Sequence, residues 1–220
     1  MTDQRLHIHV TNDPIYAENG YTVYLNEGGP CWVIDPGFPP QAERIIAYIR
    51  KQSLNATAVV LTHAHADHIA GIDEVRETLG NIPVYLAQPE WASLSDPMEN
   101  LSGLLGPGIA TNVTDPIDLP PGGAIELDGL RFEIRDVSGH SPGGRALYCA
   151  AVGLTFVGDA LFAGSVGRVD LPGGDGARLM RNLREQLLTL PEETRVRSGH
   201  GPETTIGHER RTNPFVLHGL

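Results

Sequence analysis

The segment "THAHADH", residues 62–68, sets His63, His65, Asp67 and His68 within six positions, directly after the apolar run "ATAVV". In an extended chain, residues two apart point the same way, so His63 and His65 converge on one point in space. Ala64 and Ala66 between them leave room. Asp67 and His68 follow where the helical pattern of "IAGIDEVRETL" begins, and Asp67 is placed to cap that helix with its carboxylate beside the imidazoles. Three more groups of the same kind occur further on. His140 lies in "DVSGHSPGG", Asp159 in "LTFVGDALF" and His200 in "VRSGHGPE", each after a strand-like run and beside Gly or small residues. Ligands in layered α/β folds collect outside the carboxyl ends of strands, and seven imidazole and carboxylate groups at such ends predict a metal centre. An all nitrogen and oxygen set suits Zn, Fe or Mn. Two divalent ions about 4 Å apart share a water and lower its pKa toward neutrality. One ion also stabilises the oxyanion of a tetrahedral intermediate, so the chemistry is hydrolysis of an activated acyl bond. His7, His9, His208 and His218 lack this setting and read as solvated or hydrogen-bonded residues.

The elements that must position these groups come in two runs. "LHIHV" and "YTVYL" alternate as half-buried strands do, and "CWVIDPG" is a strand ending in a turn. "QAERIIAYIRKQ" spaces Ile45, Ile46 and Ile49 helically, "TAVVLT" reads as a strand buried on both faces, residues 69–79 read as one helix, and "IPVYLA" as a strand. "PEWASL" reads as a helix with Pro89 in its first turn. Residues 96–123, rich in Gly, Pro, Asp and Asn, read as a long connection. Four short strands follow, "AIELDG", "LRFEIRDV", "RALYCAAV" and "LTFVGD", with hairpin turns at "LDGL" and "AVGL". A helix at about 175–190 carries Leu179, Leu183, Leu187 and Leu188 on one face, and "TRVRSG" is the last strand. Two similar halves joined near 96–123 predict one domain over 1–220: two sheets face to face with helices outside, the layers running α, β, β, α.

Composition narrows the partners. Sixteen Lys and Arg against 27 Asp and Glu give a net charge of −11, with Lys51 the single lysine. Nucleic acid and anionic lipid require a basic footprint, so neither is an expected partner. No apolar run reaches the length of a membrane span, and "MTDQRLHIHV" is unlike a secretory signal, which predicts a cytoplasmic protein. Cys31 and Cys149 sit in apolar strands and read as buried free thiols.

Taken together, "HAHADH", the later His140, Asp159 and His200, and "WVIDPG" resemble the metallo-β-lactamase superfamily over nearly the whole chain. The resemblance implies an αββα sandwich with a binuclear site at the sheet edge. Carried over, His63, His65 and His140 would hold one metal, Asp67, His68 and His200 the second, with Asp159 bridging; Zn is the first expectation for both ions. Asp67 would also orient the nucleophile or carry a proton, and Asp35 would orient the metal loop without binding metal. An Asp at position 159 argues against antibiotic hydrolysis within that superfamily. "GSVGRVDLPGGD" with "SGHGPETTIGHERRTNPF" is similar to short, single-domain glyoxalase II-like hydrolases. That similarity implies a thioesterase acting on a small glutathione-derived thioester such as S-D-lactoylglutathione, with Arg168 contacting the glutathione moiety; pairing of Arg168 with Asp170 is the competing reading. The helical domain that supplies further basic contacts in glyoxalase II is not expected after "ERRTNPF"; Arg210 and Arg211 either take over those contacts or only decorate a short helix begun at about Gly207. Two alternatives remain. Persulfide dioxygenases of the same fold use one iron, for which His63, His140 and Asp159 match; a non-catalytic binding protein on this scaffold is the other, against which the complete set of seven ligands argues.

Overall fold

The computed structural model describes residues 5–104 and 106–220. Residues 1–4 and Leu105 within the connection lie outside the described residues.

Alternation in the sequence becomes two sheets. The first has five strands in sequential order: β1 (His7–Asn12), β2 (Asn19–Tyr24), β3 (Pro30–Ile34), β4 (Asn55–Val60) and β5 (Val84–Tyr85). Antiparallel pairing of β1 to β3 gives way to parallel pairing across β3, β4 and β5. The second sheet comprises β6 (Ala124–Leu127), β7 (Leu130–Asp136), β8 (Arg145–Cys149), β9 (Leu154–Gly158), β12 (Arg195–Ser198) and β13 (Thr204–Thr205), in the order β13-β12-β9-β8-β7-β6. Between β9 and β12 a small hairpin, β10 (Leu161–Phe162) with β11 (Ser165–Val166), stands apart.

Three apolar clusters identify the layers. One holds Val23, Trp32, Ile34, Phe132, Ile134, Leu147 and Phe156, and so lies between the sheets. A second packs Ile45, Ile46 and Ile49 of α1 (Gln41–Lys51) and Ile72 and Val75 of α3 (Ile72–Leu79) on the outer face of the first sheet. The third sets Leu179, Leu183, Leu187 and Ile206 against Ala146, Val157 and Val196 of the second sheet. Three interfaces make four layers, α, β, β, α. Strand β4 feeds two of them, Ala58 and Val60 on one face and Val59 on the other, as its uninterrupted apolar run predicts. Both cysteines are free and buried, and burial pushes the Cys31 thiol up to about 12.

Several elements differ from expectation. Residues 69–79 do not form one helix. A single turn, α2 (Ala66–Ile69), stops at Ala70–Gly71 before α3 starts. A Cβ on Gly71 would stand 2.7 Å from Ala42 Cβ and 2.8 Å from Gly37 O, so close packing on α1 dictates both the glycine and the break. Asp67 therefore lies inside α2 and caps nothing; His65 occupies the N-cap position. "PEWASL" is two 3₁₀ turns, Gln88–Glu90 and Ala92–Leu94, rather than a helix, and "IPVYLA" pairs only over Val84–Tyr85. The helix at 175–190 is α4 (Gly176–Asn182), capped by Asp175, whose carboxylate accepts from Arg178 N at 2.9 Å, and it continues as a π-turn over Leu183–Leu187. The wider π-turn leaves Leu188 only partly buried, while Leu179, Leu183 and Leu187 face the sheet. No helix among the described residues is long and apolar enough to cross a membrane.

Candidate metal centre

Strands β4, β7, β9 and β12 deliver their following residues to one end of the sandwich, and the seven side chains singled out in the sequence meet there. His63, His65 and His140 form one group whose ligand atoms lie within 4.8 Å of one another; Asp67, His68 and His200 form a second. Asp159 faces both. Its Oδ2 is 3.6 Å from His140 Nε2 and 3.4 Å from His200 Nε2, and its Oδ1 is 3.6 Å from His68 Nε2.

The hydrogen bonds behind the imidazoles decide where their lone pairs point. His140 Nδ1 donates to Arg168 O at 2.8 Å. Thr62 Oγ1 donates to Asp35 Oδ2 at 2.6 Å and so is left to accept from His63 Nδ1 at 3.1 Å. With those tautomers assigned from the network, the unprotonated Nε2 atoms of His63 and His140 both face His65 Nδ1, at 3.1 and 3.0 Å. Two acceptor nitrogens thus converge with His65 Nδ1 on one point, an arrangement that suits a cation. Burial, with the neighbouring imidazoles, holds His63 well below its ordinary range, and burial with His140 brings His65 down to about 3. His63 and His65 are therefore disposed to ligate as neutral imidazoles.

The second group is charged. His68 Nδ1 donates to Asp35 Oδ2 at 3.0 Å and His200 Nδ1 to Tyr16 O at 3.0 Å, which turns both Nε2 atoms inward. Burial alone would lower both imidazoles. For His68 the charges of Asp67, Asp159 and Asp35 outweigh it and hold the ring well above its usual range; for His200 hydrogen bonds to Asp159 and Asp67 bring it up to about 10. Burial likewise opposes the charge on Asp159, yet His68 and His200 hold that carboxyl well below its usual range. His68 Nε2 and Asp159 Oδ1 are buried with no hydrogen-bond partner, and a Cβ on Gly199 would run into both residues. An orphaned nitrogen and an orphaned carboxylate oxygen in a space kept clear by glycine fit a divalent ion.

Asp35 lies behind His68 and receives Thr62 N at 2.8 Å, Thr62 Oγ1 and His68 Nδ1, an orienting arrangement. Two acids not singled out in the sequence are also part of the site. Glu90, fully buried, accepts from Ala64 N between two of the histidines, from Gly143 N at 2.7 Å and from Ser141 Oγ at 2.5 Å. It thus ties the first ligand loop to the loop of His140. Glu18, also fully buried, is held by Gln41 Nε2, and its Oε1 lies 3.8 Å from His68 Nδ1. Replacing Glu90 with Ala leaves three buried donors without an acceptor, at about 1 kcal/mol or more each. The expected loss is about 3 kcal/mol of unfolding free energy in chemical denaturation, with metal affinity down about 10- to 100-fold. Gln at this position does not rescue, because its NH₂ would face an N–H.

Arg168 is 61 % exposed at the rim, its guanidinium bound to both carboxylate oxygens of Asp170 at 2.8 and 2.9 Å. Arg210 and Arg211 pair with Glu192, and neither lines the cleft over the centre. His7 and His9 stack on Tyr24 and Tyr48.

An αββα sandwich carrying two His/Asp ligand groups at one sheet edge defines the class: a metallo-hydrolase scaffold. The family model of the metallo-beta-lactamase superfamily matches residues 15–200, and the chain belongs to that superfamily. Among its relatives is the hydroxyacylglutathione hydrolase GloC of Haemophilus influenzae, 34 % identical over 84 % of this chain and 86 % of that protein. The crystal structure of BLEG-1, described as a B3 metallo-beta-lactamase, superposes with a TM-score of 0.88 at 38 % identity, covering 96 % of this chain and 99 % of that one. TTHA1623 in a di-iron-bound form superposes with a TM-score of 0.81 at 40 % identity, covering 94 % and 98 %.

Proposed function

We propose that this chain is a metal-dependent thioesterase of the glyoxalase II type, cleaving S-acylglutathione. The carrying observation is the pair of facing ligand groups that share Asp159, together with 34 % identity to a hydroxyacylglutathione hydrolase over most of both chains. His63, His65 and His140 would hold one ion, Asp67, His68 and His200 the other, and Asp159 both; Zn is the first choice, and the di-iron form of a 40 %-identical structure makes Fe the second. Bound there, the two ions supply an acidified water and a Lewis acid for the acyl oxygen.

The side chains of the protein do the rest. Asp67 is 23 % exposed, unlike the wholly buried His68, so its carboxylate reaches both the centre and the cleft. It takes the proton of the attacking water and passes it to the departing thiolate. His200 Nε2, 3.2 Å from Asp67 Oδ2, keeps that carboxylate ionised between turnovers. Asp35 and Tyr16 O fix the rings of His68 and His200 so that neither rotates as charge develops.

The metal-loaded protein is expected to hydrolyse S-D-lactoylglutathione. Asp67→Ala loses about 100-fold or more in kcat/KM, within the range for removal of a general acid–base group. No turnover by fully loaded protein sinks the glutathione-thioester assignment. A β-lactam belongs in the same assay: Asp159 argues against that substrate, whereas the likeness to BLEG-1 argues for testing it.

A further inference from the structure

Above the ligand groups lies a cleft of about 560 Å³. Its base is polar and its walls are largely apolar. Tyr16 and Phe38 stack with ring centroids 4.9 Å apart on one side, and Leu101, Pro107, Ile109 and Leu171 line the walls beside Asn100 and Ser102. Among the described residues Arg168 is the one Lys or Arg side chain in the lining, and its guanidinium is bound to Asp170.

The wall from the 96–123 connection is rigidly built. Asn100, fully buried, donates through Nδ2 to Ser93 O and Ile109 O at 2.8 Å each, and its Oδ1 accepts from Ser102 N at 3.1 Å and Ser102 Oγ at 2.6 Å. Its backbone carbonyl accepts Ala66 N at 3.0 Å, which locks the wall to the start of α2 and so to the ligands. Leu101 is kept at φ +69 while still 8 % exposed; a branched side chain in left-handed backbone is tolerated only where the surroundings over-determine it. The apolar wall is therefore preorganised and does not need a substrate to assemble it.

Resting on the thioesterase reading, we propose that this cleft is an acyl pocket and that the protein selects thioesters with apolar acyl groups over hydroxyacyl groups. A thioester presents two arms to the centre. Glutathione carries two carboxylates and, among the described lining residues, finds no Lys or Arg free of a partner to receive them, so it extends through the mouth into water. The acyl arm is the one that takes the apolar space. A lactoyl group would fill little of it and would take little apolar surface out of water.

The test separates binding from turnover by using thioethers, which have no acyl bond to cleave. In isothermal titration with metal-loaded protein, S-hexylglutathione is expected to bind at least about ten-fold more tightly than S-methylglutathione, since five methylenes leave water. Phe38→Ala removes most of that advantage while leaving S-methylglutathione affinity unchanged, and Phe38→Leu restores part of it. In parallel, kcat/KM for S-hexanoylglutathione exceeds that for S-D-lactoylglutathione by about ten-fold or more. Equal affinity for the two thioethers overturns the acyl-pocket proposal, even if lactoylglutathione is hydrolysed. Tighter hexyl binding with no turnover of either thioester supports the pocket and overturns the thioesterase reading instead.

Discussion

Asp159→Ala is expected to leave the protein folded with at most one ion per chain and kcat/KM about 1,000-fold or more below the parent. Loss of a residue behind a metal ligand costs about 10- to 100-fold, and Asp159 stands in front, shared by both groups. Its two oxygens face His140, His200 and His68 at 3.4 to 3.6 Å, so the substitution removes one side of each ligand group together with the negative charge that offsets two dications. Asp159→Asn keeps the shape and loses the charge, and falls nearly as far. Elemental analysis gives the ion count, and a melting curve of the metal-free variant separates lost ligation from lost fold. Two ions and full turnover in Asp159→Ala would remove the residue from the bridging role.

The second large effect is on the pH dependence of metal loading. At neutral pH the metal-free protein favours protonated His68 and His200, because Asp67, Asp159 and Asp35 hold His68 well above its ordinary value and Asp159 and Asp67 bring His200 up to about 10. An ion entering that group must displace both protons. Raising pH removes the competitor, so affinity rises with pH, about ten-fold per unit for each proton displaced, or about 100-fold per unit for two. The rise flattens as pH approaches 10. His63 and His65 are shifted the other way, so neither is expected to give up a proton to an ion at the first group. Acidification therefore empties the second group first. Titration of metal into weakly buffered metal-free protein, with released protons counted by an indicator, should give more protons for the ion at the second group than for the ion at the first. A single pH-independent affinity for both ions would contradict the assignment.

Much of the centre was legible because its signal is local. His63 and His65 are two residues apart on extended chain, and each later ligand follows an apolar strand, so type and spacing carry the information. The four layers were legible for the same reason: the double-faced run of β4 and the alternation of β7 each map onto an apolar cluster. What escaped is set by tertiary contact alone. Glu90 in "QPEW" and Glu18 in "AENG" look like surface acids; their burial depends on partners 26 to 53 residues away, such as Ala64, Gly143 and His68. The break at Gly71 depends on the approach of α1, which no periodicity reports. For Arg168 the neighbouring Asp170 was visible in the sequence, and the guanidinium is bound to that aspartate. It is the apolar walls of the cleft that could not be read, since Tyr16, Phe38, Leu101 and Leu171 come from four separate segments.

The ligand groups are divided between the halves in an uneven way. Residues 63–68 supply four side chains early in the chain, but the first group closes only with His140 and the second only with His200, which the β1–β2 loop reaches through Tyr16 O. A growing chain thus carries an incomplete chelate through most of its synthesis. On the proposed ligand assignment, ion capture would be a late event that follows the docking of the second half of the chain onto the first. A cell short of metal would accumulate completed, folded and inactive protein rather than partly made chains, and activity would return on adding the ion without new synthesis.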